Sequence, residues 1–156
     1  MKLAEHVKII KDQINKAFDN QFARLGIGGR ALSDISLIPA EQHNKREKIV
    51  ELIKRHKEEN DDYQQARQRA LEELTFTLFN RIAALKVMEA RTLFPEIITK
   101  RPENGDRSFQ HKAWLEQHPE KRNEELEGSR DFLKDAFNEL GEEIALYHKN
   151  FPYALL

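Results

Sequence analysis

The chain has no cysteine. That excludes a disulfide framework, a thiolate nucleophile and every Cys-based zinc or iron–sulfur site, and it fits a reducing, cytoplasmic location. Long apolar runs are missing as well. The stretch from Leu74 to Met88 is interrupted by Asn80, Arg81 and Lys86, well short of the roughly 18 uncharged residues that a membrane span needs. Glu5 and the alternating start Met1-Lys2-Leu3-Ala4-Glu5-His6 do not make the continuous apolar core of an export signal. Nor is there an excess of either charge: 26 basic and 27 acidic side chains give a net charge of −1, so the chain as a whole lacks the basic footprint of a freestanding nucleic-acid binder. Glycine and proline are few, at six and five in 156 residues, and they act as punctuation between longer elements.

What remains is a charged, soluble-type composition with helical periodicity. Leu3, Val7, Ile10, Ile14, Phe18, Phe22 and Leu25 recur every three or four residues and predict an amphipathic helix over 2–25. Gly26-Ile27-Gly28-Gly29 ends it in a left-handed cap. Residues 26–39 read as a loop from which Ile35, Leu37 and Ile38 tuck into the core. Pro39 opens a charged helix over 40–58. Asn60, followed by Asp61 and Asp62, caps the longest helix, which runs to about Leu93 before Phe94-Pro95 stops it. Its stripe is Leu71, Leu74, Leu78, Ile82, Leu85 and Met88, with Phe76, Phe79, Ala83 and Val87 round the remaining circumference. Residues 95–118 are mixed, and a last helix runs from Pro119 to Lys149 with Leu126, Phe132 or Leu133, Phe137, Leu140, Ile144 and Tyr147 inward. With no alternating strand pattern, the expected fold is all-α: an irregular helical bundle around one long central helix, a single domain over 1–156.

Chemistry-bearing patterns are scarce. Gly26-Ile27-Gly28-Gly29-Arg30 follows a helix where a phosphate-cradling loop follows a strand. No two of the six histidines fall four apart on one helix, so a zinc face is missing. Catalytic, cofactor-binding and metal-ligating residues are therefore expected to be none. Asn150-Phe151-Pro152-Tyr153 imitates the Asn-Pro-Pro-Tyr loop of amino-methyltransferases, but it follows a helix and lacks the first proline. Charge is unevenly spread, net +3 over 63–101 and −5 over 124–156, so a polyanion would meet the middle of the chain first. Asn80 and Arg81 interrupt the most apolar part of the long helix, and a buried arginine there must find a carboxylate or an anion. An internal Arg–carboxylate pair is the expectation, with DNA or another domain as the alternative. The apolar end Phe151-Pro152-Tyr153-Ala154-Leu155-Leu156 points to a piece of a longer polypeptide.

The segment Phe79-Asn80-Arg81-Ile82-Ala83-Ala84-Leu85-Lys86-Val87-Met88-Glu89 resembles the Phe-Asn-Arg…Ala-(Leu/Ile)-(Arg/Lys)-x-Met-Glu stretch near the N-terminus of large adenine-specific DNA methyltransferases, namely the PglX-like proteins of BREX phage-defence systems and related type IIG restriction–modification enzymes. Leu25-Gly26-Ile27 after the first helix, and Leu146-Tyr147-His148-Lys149-Asn150-Phe151-Pro152 after the last, are similar to flanking features in the same order. Leu78-Phe79 stands where those proteins carry an aromatic pair. The resemblance implies an N-terminal helical module that packs on a downstream methyltransferase domain binding S-adenosylmethionine, and helps to enclose double-stranded DNA. It also implies other defence-system proteins as partners. Neither a Phe-x-Gly-x-Gly loop nor Asn-Pro-Pro-Tyr occurs here, so no catalytic residue carries over. The motif positions carried over are Asn80, Arg81, Lys86 and Glu89, and Lys100 and Arg101 join them as candidates for the DNA or domain interface. The competing expectation is a freestanding helical protein–protein interaction module.

Overall fold

The computed structural model describes residues 2–57 and 62–147. The fold is all-α: 75% helical, with five α-helices and no strand among the described residues. In chain order these are α1 (Leu3–Arg24), α2 (His43–His56), α3 (Tyr63–Ala90), α4 (Phe109–Gln117) and α5 (Ser129–Gly141). None of these is long and apolar enough to cross a membrane. The chain divides into two compact units, residues 1–79 and 80–154, and the division falls inside α3 between Phe79 and Asn80. The expected Asn60 cap, the Asn150–Tyr153 lookalike and the apolar end 151–156 lie outside the described residues.

In the first unit, α1 ends where its glycine demands. Gly26 adopts φ +71°, its N–H reaches Ala23 O at 3.1 Å, and the Ile27 N–H reaches Phe22 O at 2.8 Å. That is the paired 5→2 and 6→1 closure of a Schellman cap. A Cβ on Gly26 would also meet Ile38 Cδ1 at 2.9 Å. The stripe of α1 is buried only at Phe18, Phe22 and the following Leu25, while Leu3 and Ile10 stay exposed. Of the three loop residues expected inside, Ile38 alone is buried, and Ile35 and Leu37 face solvent, because Asp34 caps a short 3₁₀ turn, Ile35–Leu37, that turns them outward. A second 3₁₀ turn, Ala40–Gln42, follows Pro39 before α2 begins. From α2, Ile49, Leu52 and Ile53 enter the core, joined by Ala66, Ala70, Leu71 and Leu74 from α3. Asp62 caps α3: its Oδ1 accepts from the Gln65 N–H at 2.8 Å, and Gln65 Oε1 accepts from the Asp62 N–H at 3.1 Å, a reciprocal capping box.

Within the second unit, α3 stops at Ala90 rather than Leu93. The Thr92 N–H reaches Glu89 O at 2.9 Å and the Leu93 N–H reaches Met88 O at 3.1 Å, with Thr92 at φ +55°. This is again a Schellman cap, and it closes before Pro95 can exert any effect. The last helix is also shorter than expected. Pro119–Asn123 forms a 3₁₀ turn, Leu126, Glu127 and Gly128 take left-handed conformations at φ 50°, 53° and 67°, and α5 starts only at Ser129 and ends at Gly141. Leu126 is consequently exposed, whereas Phe132, Phe137 and Tyr147 are buried as expected.

The two caps should respond to substitution with opposite sign. Thr92→Gly relieves a β-branched residue held at positive φ and should stabilise by about 1 kcal/mol, whereas Gly26→Ala should destabilise by more than about 1 kcal/mol. Urea-unfolding midpoints of the two variants against the parent chain measure both.

Candidate functional site

The segment around Asn80–Glu89 sits on the C-terminal part of α3, and its side chains divide between interior and surface. Arg81 is only 2% exposed. Its Nε donates to Leu146 O at 2.8 Å, its own carbonyl accepts the Tyr147 hydroxyl at 2.6 Å, and its guanidinium lies 5.4 Å over the Phe137 ring. Burial pushes the guanidinium below its usual value and pushes the Tyr147 hydroxyl up to about 12. A carbonyl oxygen and an aromatic face are among the partners of Arg81, and a planar, weakly hydrated cation can engage both together.

Glu89, one residue before the end of α3, is also buried. Just after the helix the chain must turn back, and the amides of that turn have no ladder to join. Glu89 takes them in: Oε1 accepts from the Ile97 and Ile98 N–H groups at 2.6 and 2.5 Å, and Oε2 from the Thr99 hydroxyl and N–H at 2.7 and 3.3 Å. Burial raises the Glu89 carboxyl, but the combined donations from Ile98, Thr99 and Ile97 outweigh it and hold the group below its ordinary value of 4.5.

Lys86, one turn earlier on α3, is exposed, and its ammonium donates to Thr99 Oγ1. A chain of polar contacts thus runs Lys86 to Thr99 to Glu89. Lys100 and Arg101 follow Thr99 directly, both exposed. The Arg101 Nε bonds the two Glu96 oxygens at 3.1 and 3.2 Å, and its backbone N–H donates to Arg107 O at 3.0 Å. Asn80 is half-buried. Of the six candidate residues, then, Arg81 and Glu89 build the interior, while Lys100 and Arg101 on the loop that Glu89 anchors, and Lys86 on α3 joined to that loop through Thr99, face solvent.

Several polar ties were not foreseen. In the first unit, Arg67 reaches Ile27 O through Nε at 3.2 Å and Nη2 at 3.0 Å, and Asp19 at 2.7 Å. Arg46 donates to Ser33 O at 2.6 Å and the Tyr63 hydroxyl to Gly28 O at 2.7 Å. In the second, Arg107 grips both oxygens of Glu127 at 2.5 and 2.6 Å. Arg67, Arg46 and Arg107 read as ordinary surface charge in sequence, and Tyr63 as an ordinary first-turn residue of the helix. Only Arg67 carried a signal, because it lies four residues before Leu71 on the stripe of α3. Compared with known proteins, the chain matches no family model, no curated protein and no solved structure.

Glu89→Gln should cost about 2 kcal/mol at neutral pH, because a charged acceptor of backbone N–H groups is replaced by an amide that presents a donor to them. Since the folded carboxyl lies below its unfolded value, this contribution is complete above pH 4.5 and is lost as pH falls through the folded value. Thermal melts of parent and variant between neutral and acidic pH should converge at the acidic end. Arg81→Met should likewise cost about 1–3 kcal/mol, by leaving the part-buried Leu146 carbonyl without its donor, as read from urea melts.

Proposed function

We propose that the chain is the N-terminal helical module of a DNA N6-adenine methyltransferase of a phage-defence or restriction–modification system, packing on the catalytic domain and helping to enclose double-stranded DNA. The observation that carries this reading is the division of labour in the resembling segment. Its Arg81 and Glu89 hold the local fold together, and the cations beside them, Lys86, Lys100 and Arg101, stay exposed, as phosphate contacts require. Apolar surface next to them suits a domain contact: Val87 and Leu93 are 55% and 65% exposed. The uncovered first half of the α1 stripe, with Leu3 and Ile10, has the same character. In this reading S-adenosylmethionine belongs to the downstream domain, and the present chain contributes position rather than chemistry.

Two measurements test the proposal. The coding frame beyond Leu156 should continue into a Phe-x-Gly-x-Gly loop and an Asn-Pro-Pro-Tyr loop, and cells carrying that full frame should accumulate N6-methyladenine at one sequence context that is lost when residues 1–156 are deleted. A stop codon directly after Leu156 would favour the freestanding interaction module instead. Duplex DNA binding by the isolated chain should be weak and strongly salt-dependent, and replacing Lys86, Lys100 and Arg101 together by alanine should flatten the log–log salt dependence by up to about 3. Fluorescence anisotropy of labelled duplex at low and near-physiological salt reads this slope.

A further inference from the structure

Two lengthwise stripes run along α1, and one of them packs within the fold. Lys11, Asn15, Phe18 and Phe22 recur in steps of four and three and meet α3. The Lys11 ammonium lies 5.5 and 4.9 Å over the Phe76 and Phe79 rings, and Asn15 Nδ2 donates to Thr75 Oγ1 at 3.3 Å. Phe18 and Phe22 are buried, with the Arg67 guanidinium 5.4 Å over the Phe22 ring. Leu3, Val7, Ile10, Ile14 and Ala17 recur in the same steps, about 90° further round the helix. This second stripe is uncovered. Leu3 and Ile10 are 79% and 43% exposed, Ala17 is exposed, and Val7 and Ile14 are half-buried. Glu5 Oε2 accepts the Lys2 N–H at 2.8 Å, which fixes the first turn and sets Leu3 in register with the rest.

Alternating steps of four and three are the spacing of a seam between two helices. The charges that would specify a charged partner lie off it: Lys2, Glu5, Lys8, Asp12 and Lys16 are about 100° or more from its middle. His6 and Gln13 border it on one edge, Ala4 and Lys11 on the other. The seam complements itself. Laid antiparallel on a second copy about a two-fold axis, it forms four apolar layers: Leu3 on Ile14, Val7 on Ile10, and the two pairs related by symmetry. His6 then borders Gln13 and Ala4 borders Lys11, so no like charges meet. A parallel pair would instead set His6 of one copy beside Lys11 of the other.

We infer that α1 is a self-association surface whose partner is α1 of a second copy of this chain, packed antiparallel through Leu3, Val7, Ile10 and Ile14. Two heptads bury less than the roughly 1,600 Å² of a standard interface, so the pair is weak, with a dissociation constant on the order of 100 μM. The apolar face of α1 thereby gains a stated partner. The inference and the methyltransferase reading can fail separately, because the latter turns on the frame beyond Leu156.

Sedimentation equilibrium of the chain from about 10 μM to about 1 mM tests the association. The weight-average mass should rise from 18.4 kDa towards twice that value. Ile10→Glu should weaken the association more than about tenfold. Ile9→Glu is its control, because Ile9 is equally exposed at 44% but lies about 120° from the middle of the seam, and it should associate as the parent does. Both variants should keep the parent's helical circular dichroism. Since the chain has no cysteine, cross-linking reads the register. Leu3→Cys mixed with Ile14→Cys should give the mixed disulfide well in excess of either self-disulfide under mild oxidation. A parent chain that stays monomeric at about 1 mM, or a loss in Ile9→Glu that matches the loss in Ile10→Glu, overturns the surface. Predominant self-disulfides overturn the antiparallel register.

Discussion

Backbone groups in a connecting loop have no helical ladder to satisfy them, and in this protein long polar side chains from the helices do so instead. Arg67 and Tyr63 of α3 and Arg46 of α2 serve the carbonyls of Ile27, Gly28 and Ser33. Glu89 serves three amides after α3, Arg81 the carbonyl of Leu146, and His111 that of Glu127. A buried loop carbonyl or amide without a partner costs about 1–3 kcal/mol, so these ties decide where the loops can run. They also explain an interior that holds arginines, a glutamate and a histidine. Each of these residues makes a hydrogen bond to a loop backbone group from inside the fold, and each would be costly to strand.

This arrangement changes how the Asn80–Glu89 segment is to be read. Conspicuous charges in an apolar helix invite assignment to a ligand, yet the geometry commits two of them to the fold. Arg81 and Glu89 act at the two ends of one helical stretch, holding the 146–147 region and the 97–99 loop respectively. The loop held by Glu89 then presents Lys100 and Arg101, with Lys86 joined through Thr99. In the function we propose, these cations would contact phosphates and position a duplex.

Strain is concentrated where helices are cut short. Thr92, Asp106, Leu126 and Glu127 all occupy positive φ, a conformation normally left to glycine. At Thr92 the compensation is the pair of Schellman bonds. At Leu126 and Glu127 it is Arg107 and His111, and the outcome there is an exposed leucine rather than a helical turn. Backbone cost sustained by side-chain ties is the pattern expected where a surface must keep a defined shape.

Periodicity alone determined α1 and α3: the spacing of Phe18 and Phe22, and of Leu71, Leu74 and Leu85, is that of a helix, and Gly26 ends α1 because no residue with a Cβ adopts its φ without strain. These are local signals, written within a few residues of where they act. Tertiary structure decided the rest. Ile35 and Leu37 face water although apolar, and Leu126 points away from the core because a left-handed turn supplants the helix predicted through it. One partner of Arg81 is 65 residues away and one of Arg67 is 40. An arginine looks the same in sequence whether it lies in water or under a distant carbonyl. What separates the two cases is the packing that brings the loop to it, and that packing is a property of the folded chain.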